Sequence, residues 1–323
     1  MDALQEEVAK TQELIMFYNL ENLFIPADSK FIQDKKNFNG FRSWTKGRYL
    51  DKLYKIADVF DQVQLKYGKL PLFAGVSEVQ GDQPLQDLMK LAPFHPYYDF
   101  VHFDSLDERG IDVALIYNTL EIEVLDSETM TYLFEIEDEN PENYDTTRDI
   151  LYCKLKYKED VFHVYVLHLP SKREKDINKP KRDYILGELK KRIKNNAEDE
   201  NEPVLVLGDF NTNPDDEGIR NLLQISEQTK MYNPFSEIYK KRIFSTFHYS
   251  NGLLFDQIMI SQDFMQGKTA LQFLGADVFS SDKLRSNDKR FRGRPFRTYA
   301  GSRYLGGYSD HFPVVMQFGT HET

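Results

Sequence analysis

Twice along this chain an amphipathic helical pattern leads into a short apolar run that ends in an acid, and this repeated order restricts the fold more than any other feature. In the first copy Leu50, Leu53, Ile56, Ala57, Phe60 and Val63 recur at helical spacing between Tyr49 and Gln64, and LPLFAGVSEV follows, reaching Glu78. In the second, Ile185, Leu186, Leu189 and Ile193 share one face of residues 182–196, and an acidic turn leads into VLVLGDFN (204–211). No residue-level repeat accompanies the two units, but their order predicts two sheets built on similar plans.

Other strand-like segments fill the chain around them. LIMFYNLENLF (14–24) predicts a buried strand running into a loop that carries Asn19 and Glu21, followed by a polar, aromatic-containing loop over residues 26–47. VALIYN (113–118), DILYCKLKY (149–157) and VFHVYVLHLP (161–170) read as strands, the last two as an antiparallel hairpin, and FDQIMIS (255–261) and FPVVMQF (312–318) follow. No Pro-rich or Gly/Ser-rich linker interrupts the chain. The expectation is a polar leader over 1–13 and one domain over 14–320.

Composition narrows the class. With 323 residues, 41% of them hydrophobic, the chain can bury a sizeable core, and 24 Phe with 19 Tyr lean toward strands and away from disorder. A net charge of −11 argues against a protein that coats nucleic acid nonspecifically, while leaving room for a local phosphate site. Cys153 is the sole cysteine and reads as a packed thiol in an alternating strand. The polar, acidic N-terminus and the lack of a membrane-length apolar run point to a soluble cytoplasmic protein, although a chain stripped of its export signal would read alike.

Several residues stand where chemistry could occur. Asp209 and Asn211, two apart on an extended backbone, put a carboxylate and an amide on one side, suited to a hard cation and its water or simply to closing a turn. An EF-hand reading of Asp209, Asn211, Asn213 and Asp215 fails because Pro214 replaces the required Gly and Arg220 the terminal Glu. In GGYSDHFPVV a flexible loop delivers Asp310 and His311 before a strand, and Asp256 heads FDQIMIS, where a buried carboxylate needs a donor that His311 could supply. His163 lies inside its strand and reads as structural, whereas His168 ends the strand beside a basic loop, where an imidazolium could bind phosphate. Glu78, if buried, requires a cation, and Asn19 taken alone is a turn residue.

Seven fragments in order, namely FYNLENLF, GVSEVQ, RGIDVALIYN, LHLPSK, GDFN, FDQIMIS and SDHFPV, resemble the endonuclease/exonuclease/phosphatase superfamily with the deoxyribonuclease I-like fold, over residues 14–318. That resemblance implies an α/β (α+β) four-layer αββα sandwich, two packed mixed β-sheets flanked by helices. It also implies Mg²⁺ as cofactor, with Mn²⁺ as a substitute, held by Glu78, Asn19 and Asp310. Asp209 would orient or deprotonate water, Asn211 would hold the nucleophile or a phosphoryl oxygen, Asp256 would orient His311, and His168 and His311 would contact nonbridging oxygens. Arg148 and Arg109 would join His168 and Asn211 in binding the substrate phosphate, and Glu21 stands where many family nucleases carry Asp, leaving a second ligand open.

The implied activity is phosphoester hydrolysis, first of a phosphodiester, in which case the protein would be a nuclease. The alternatives are a phosphomonoesterase on a phosphorylated small molecule or lipid head group, and a noncatalytic binding protein that retains the fold. The partner expected is an anionic phosphoester, nucleic acid among the candidates, with no protein partner indicated. Two basic segments, SKREKDINKPKRD (171–183) and residues 282–304 with eight Lys or Arg against two Asp, are expected to flank the mouth, where interspersed Phe and Tyr could stack on bases.

Overall fold

The computed structural model describes residues 11–26, 43–135, 144–172, 175–200, 202–226 and 229–320. Most of the loop expected over 26–47 and most of the leader lie outside the described residues. In chain order the main elements are β1 (Thr11–Leu23), α1 (Lys46–Tyr67), β2 (Phe73–Val79), α2 (Asp82–Met89), β3 (Tyr98–His102), β4 (Asp112–Asn118), β5 (Ile122–Met130), β6 (Ile150–Tyr157) and β7 (Asp160–His168). There follow α3 (Lys179–Asp199), β8 (Val204–Asp209), α4 (Glu217–Leu223), β9 (Met231–Tyr232), α5 (Phe235–Lys240), β10 (Asp256–Ser261), β11 (Leu271–Val278) and β12 (Val314–Thr320).

The strands form two six-stranded sheets, ordered β11-β12-β1-β2-β4-β3 and β9-β10-β8-β7-β6-β5. Each has one parallel pair at its centre, β1 with β2 and β7 with β8, and antiparallel neighbours on both sides. A parallel pair needs a crossover, and α1 and α3 supply them. The two helix–strand units of the sequence are therefore the two crossovers, and the carboxyl ends of both parallel pairs are where ligands collect in mixed sheets.

Packing follows from the same residues. Ile185, Leu186, Leu189 and Ile193 of α3 join Val204, Val206 and Met259 in a core on the outer face of the second sheet. Each such side chain contributes about 1.5–3 kcal/mol when fully buried. Leu53, Ile56, Phe60 and Val63 of α1 do the same for the first sheet, while Leu50, expected in that stripe, is 40% exposed and Tyr49 is buried in its place. Thr45, whose side chain accepts from Arg48 N, caps α1, which starts at Lys46, three residues before the predicted Tyr49. Between the sheets, a Cβ on Gly75 of β2 would meet Leu207 and Val166 at 2.9 Å, so glycine there lets the sheets close. The result is two mixed sheets with flanking helices.

Cys153 is buried and burial pushes its thiol pKa far up, as a packed side chain should be. His163 is buried too, held by the Tyr152 hydroxyl (2.9 Å) and by Asn196 Nδ2 (3.3 Å). Among the described residues no helix is long and apolar enough to cross a membrane.

Candidate active site

Strand irregularity, rather than a loop, aims the first acids. β1 continues to Leu23 past the expected loop, but its pairing with β2 slips between Asn19 and Leu23, and Glu21 and Asn22 both take positive φ. β2 slips against β4 between Ser77 and Val79, and Glu78, at the slip, has φ of 66°. A bulge re-aims one side chain, and a non-glycine residue at positive φ is held there by its surroundings. Asn22 N supplies part of that hold, donating to Glu78 Oε2 at 2.8 Å.

Asp209 enters from the second sheet. Gly208 before it has no room for a side chain, since a Cβ would lie 2.2 Å from the Leu167 carbonyl oxygen. That approach brings Asp209 beside His168, its partner in the β7–β8 ladder. Asn19 Nδ2 then bridges the sheets, donating to Asp209 Oδ2 (3.1 Å) and Glu78 Oε1 (3.3 Å), while its Oδ1 accepts from Glu21 N (2.9 Å). The amide orientation follows from that last bond, because the flipped amide would set NH₂ against N–H.

The histidines close the ring. His168 Nε2 is 3.6 Å from Asp209 Oδ2 and 3.9 Å from Glu78 Oε1, and His311 Nε2 is 3.9 Å from Asp209 Oδ2. His311 Nδ1 donates to Asp256 Oδ2 at 2.7 Å, and Ser245 Oγ donates to the same carboxylate oxygen. Ser309 Oγ donates to the Asn19 carbonyl (2.7 Å) and accepts from His311 N (3.1 Å), tying the His311 backbone to β1. Asp310 lies at the edge, with Oδ2 accepting from Arg297 (3.0 Å) and Oδ1 4.0 Å from His311 Nε2.

Charge follows geometry. Burial, with Asp256 close by, pushes the Asp209 carboxyl up to about 7 against the opposing pull of His311. Burial alone would discharge His311, but the Asp256 carboxylate in contact, with Asp209 and Asp310 nearby, holds its pKa well above the ordinary value. His168 goes the other way: burial, then Arg148, Arg109 and His311, keep it neutral. The expected His168 imidazolium is thus disfavoured, first by burial of the ring and then by the charges of Arg148, Arg109 and His311.

Other expected residues are turned differently. Arg148 donates from Nε to His168 O (3.0 Å), from Nη2 to Leu169 O (3.1 Å) and from Nη1 to Asp107 Oδ2 (3.2 Å), so these three nitrogens brace the His168 strand end. Arg109, half-buried, stays 3.9 Å from Asp107 and reaches none of the site acids within ion-pair distance among the described residues. Asn211 donates from Nδ2 to Leu169 O (2.8 Å) and from its backbone N to Asp209 Oδ1 (2.8 Å). Glu21 faces away, accepting from Thr298 N (2.5 Å) and Tyr299 N (3.2 Å). Asn213 Oδ1 accepts from Leu254 N at 3.0 Å.

Of the two basic segments, 171–183 is partly neutralised: Lys179 and Arg182 pair with Asp183 and Asp176 within it, and Lys181 with Asp145. In the other, Arg294 donates to Tyr249 O and lies over the rings of Phe247 and Phe291. Phe247 belongs to the hairpin strand Thr246–His248, whose Thr246 pairs with His311. Sequence reasoning missed Ser245, Ser309 and Lys52; only Ser309, inside SDHFPV, lay in a recognised motif.

Comparison with known proteins agrees with this fold. Solved structures of the same fold include an endonuclease/exonuclease/phosphatase family protein from Bacteroides thetaiotaomicron (TM-score 0.59, 16% identity, covering 97% of this chain and 100% of that one). A mannosyl-6-phosphatase from the same organism matches with TM-score 0.58 and 16% identity, over 95% of this chain and 99% of the other. D. rerio TDP2 complexed with a single-strand DNA product matches with TM-score 0.59 and 16% identity, over 96% and 100%. Among curated proteins the sequence finds no match. The model of the Endonuclease/Exonuclease/phosphatase family nevertheless matches residues 14–319, and since that span contains both sheets and every residue of the ring around Asp209, the chain belongs to this family of hydrolases.

Proposed function

We propose that the protein is a divalent-metal-dependent phosphodiesterase that cleaves its substrate by in-line attack of water on phosphorus. The observation that carries this reading is the meeting of Asn19, Glu78, His168, Asp209 and His311 at the ends of two parallel strand pairs from different sheets. A metal fits the donor set. Glu78, Asp209 and Asp310 are hard oxygen donors, Glu78 beside His168 and the two Asp beside His311, and an Asp209 pKa raised by burial and by Asp256 marks an excess of negative charge that a cation would relieve. Asp209, Asp256 and His311 also offer ligand atoms within 4.8 Å of one another, with Asp256 Oδ2 and His311 Nδ1 already bonded to each other.

Glu78 and Asp310 would hold Mg²⁺, or Mn²⁺ in its place, with Asn19 bracing Glu78; when bound, the ion supplies Lewis-acid stabilisation of phosphoryl and leaving oxygens. Asp209, its oxygens oriented by Asn19 Nδ2 and Asn211 N and its pKa near neutrality, takes the proton from the attacking water. His311, charged and fixed by Asp256, donates to a nonbridging oxygen as negative charge grows there. His168 donates as a neutral imidazole, its strand end held by Arg148.

A diester is favoured over a monoester because Arg290, Arg292 and Arg294 stand with Phe291, Phe247 and the 81% exposed Tyr249, on segments joined to His311, a surface suited to an extended polyanion with stackable groups. The phosphomonoester reading draws on the mannosyl-6-phosphatase of the same fold. The test is metal-stripped protein with and without Mg²⁺ on bis(p-nitrophenyl) phosphate, p-nitrophenyl phosphate and plasmid DNA. Diester turnover restored by Mg²⁺ is expected. Turnover that survives excess chelator defeats the mechanism, and faster monoester turnover transfers the function to the second reading.

A further inference from the structure

Residues 298–308 form an excursion whose two ends are held by one buried ammonium. Lys52, on α1 and only 1% exposed, donates to Thr298 Oγ1 (2.7 Å) and to the Tyr308 carbonyl. Leu305 N and Gly306 N return to Thr298 O (2.8 and 3.2 Å), closing the excursion on itself. Glu21 also reaches this residue, and both its oxygens accept backbone amides, from Thr298 and Tyr299. One residue beyond Tyr308 stands Ser309, which joins Asn19 O to His311 N.

Burying an ammonium and a carboxylate is unfavourable unless each is matched, and apolar residues of similar volume would hold a helix to a sheet at least as well. Among the described residues the side-chain hydrogen bonds of Lys52 and Glu21 run to residues 298, 299 and 308. These two groups therefore fix where the segment carrying Asp310 and His311 re-enters the site.

We propose that Lys52 and Glu21 are positioning residues: meeting on Thr298, they lock the 298–308 excursion shut and thereby hold Ser309, Asp310 and His311 in register with Asn19 and Asp209. Glu21 is then a structural carboxylate, with both oxygens committed to amides, and not a second metal ligand. The effect on turnover rests on the phosphodiesterase reading; the locking does not.

The experiment uses the full chain with Lys52→Met, Glu21→Gln, Thr298→Val and Thr298→Ser. Amide exchange over 298–308 is followed by mass spectrometry, the His311 imidazole proton by NMR, and bis(p-nitrophenyl) phosphate turnover with Mg²⁺ in parallel. The first three variants should exchange faster across 298–308 and shift the His311 proton signal. Their kcat should fall about tenfold, because small misplacements of reacting groups are expensive, with KM within about twofold. Thr298→Ser, which keeps the hydroxyl, should restore both. Should Lys52→Met fail to fold, Thr298→Val carries the same test with a smaller change. Folded variants with wild-type exchange over 298–308 and an unmoved His311 signal overturn the proposal, as does wild-type kcat in Thr298→Val. If the wild-type protein turns over no phosphoester, the functional reading falls, and the exchange and NMR results alone decide the lock.

Discussion

Replacing Asp256 with Asn would separate the charge of this residue from its shape. Asp256 is fully buried, with Oδ2 between His311 Nδ1 at 2.7 Å and the Ser245 hydroxyl, and Asn fills nearly the same volume. What is lost is a charge-assisted hydrogen bond, worth about 1.5–3 kcal/mol. If that stabilisation is felt in the transition state, kcat on bis(p-nitrophenyl) phosphate falls about 10- to 150-fold. The pH profile gives a second reading. Asp209 must be ionised to act as base, and Asp256 is a main cause of its raised pKa after burial, so removing that charge moves the acid limb to lower pH. His311 must be protonated, and Asp256 is the first of the groups that raise its pKa against burial, so the basic limb moves to lower pH as well. The whole bell should slide toward acid while its height drops. A folded Asp256→Asn protein whose kcat stays within about threefold of wild type, or whose limbs do not move, would refute the assigned roles of both Asp256 and His311.

Gly208→Ala should destabilise the fold by about 1–3 kcal/mol, the usual range for overpacking, because the new Cβ would strike the Leu167 carbonyl oxygen at 2.2 Å; urea unfolding measures it. Charge reversal at Arg290, Arg292 and Arg294 together should raise KM for plasmid DNA while leaving KM for bis(p-nitrophenyl) phosphate unchanged, and a plasmid KM unchanged from wild type would remove the basic segment from binding. Acid should weaken the fold through His163, whose pKa is lowered to about 4 by burial, with Lys154 and Arg192 adding to it against Glu200. Between the ordinary 6.5 and about 4 the unfolded chain takes a proton that the folded one refuses, so stability is full above that window and drops as pH falls through it. The loss reaches about 3 kcal/mol, and His163→Gln should flatten that slope in denaturant titrations at pH 7, 6, 5 and 4.

How much of this was legible in the sequence depended on range. Ile185, Leu186, Leu189 and Ile193 announced α3 because the stripe repeats within one helix, and VLVLGD announced β8 because a central strand is apolar on both faces. Leu50 misled because a three-residue period tolerates either neighbour at a stripe's edge, and only packing chose Tyr49. Motifs picked out Asn19, Glu78, His168, Asp209, Asp256 and His311, in the order that the resemblance implies. Their contacts were another matter. Arg148 and Glu21 carry the charges a phosphate or a metal would want, yet their donors and acceptors were taken up by carbonyls and amides up to 278 residues away in sequence, as between Glu21 and Tyr299.

The sequence by itself determined the helix–strand units, the strands and the family, since apolar period and motif order are local properties of the chain. Only the tertiary structure decided the bulge that aims Glu78, the amide of Asn19 that joins two sheets, the neutral His168 beside a charged His311, and the buried Lys52 behind them. Each of these is set by which distant groups share a low-dielectric space. Burial and opposing charge act through distance, and separation along the sequence does not report it.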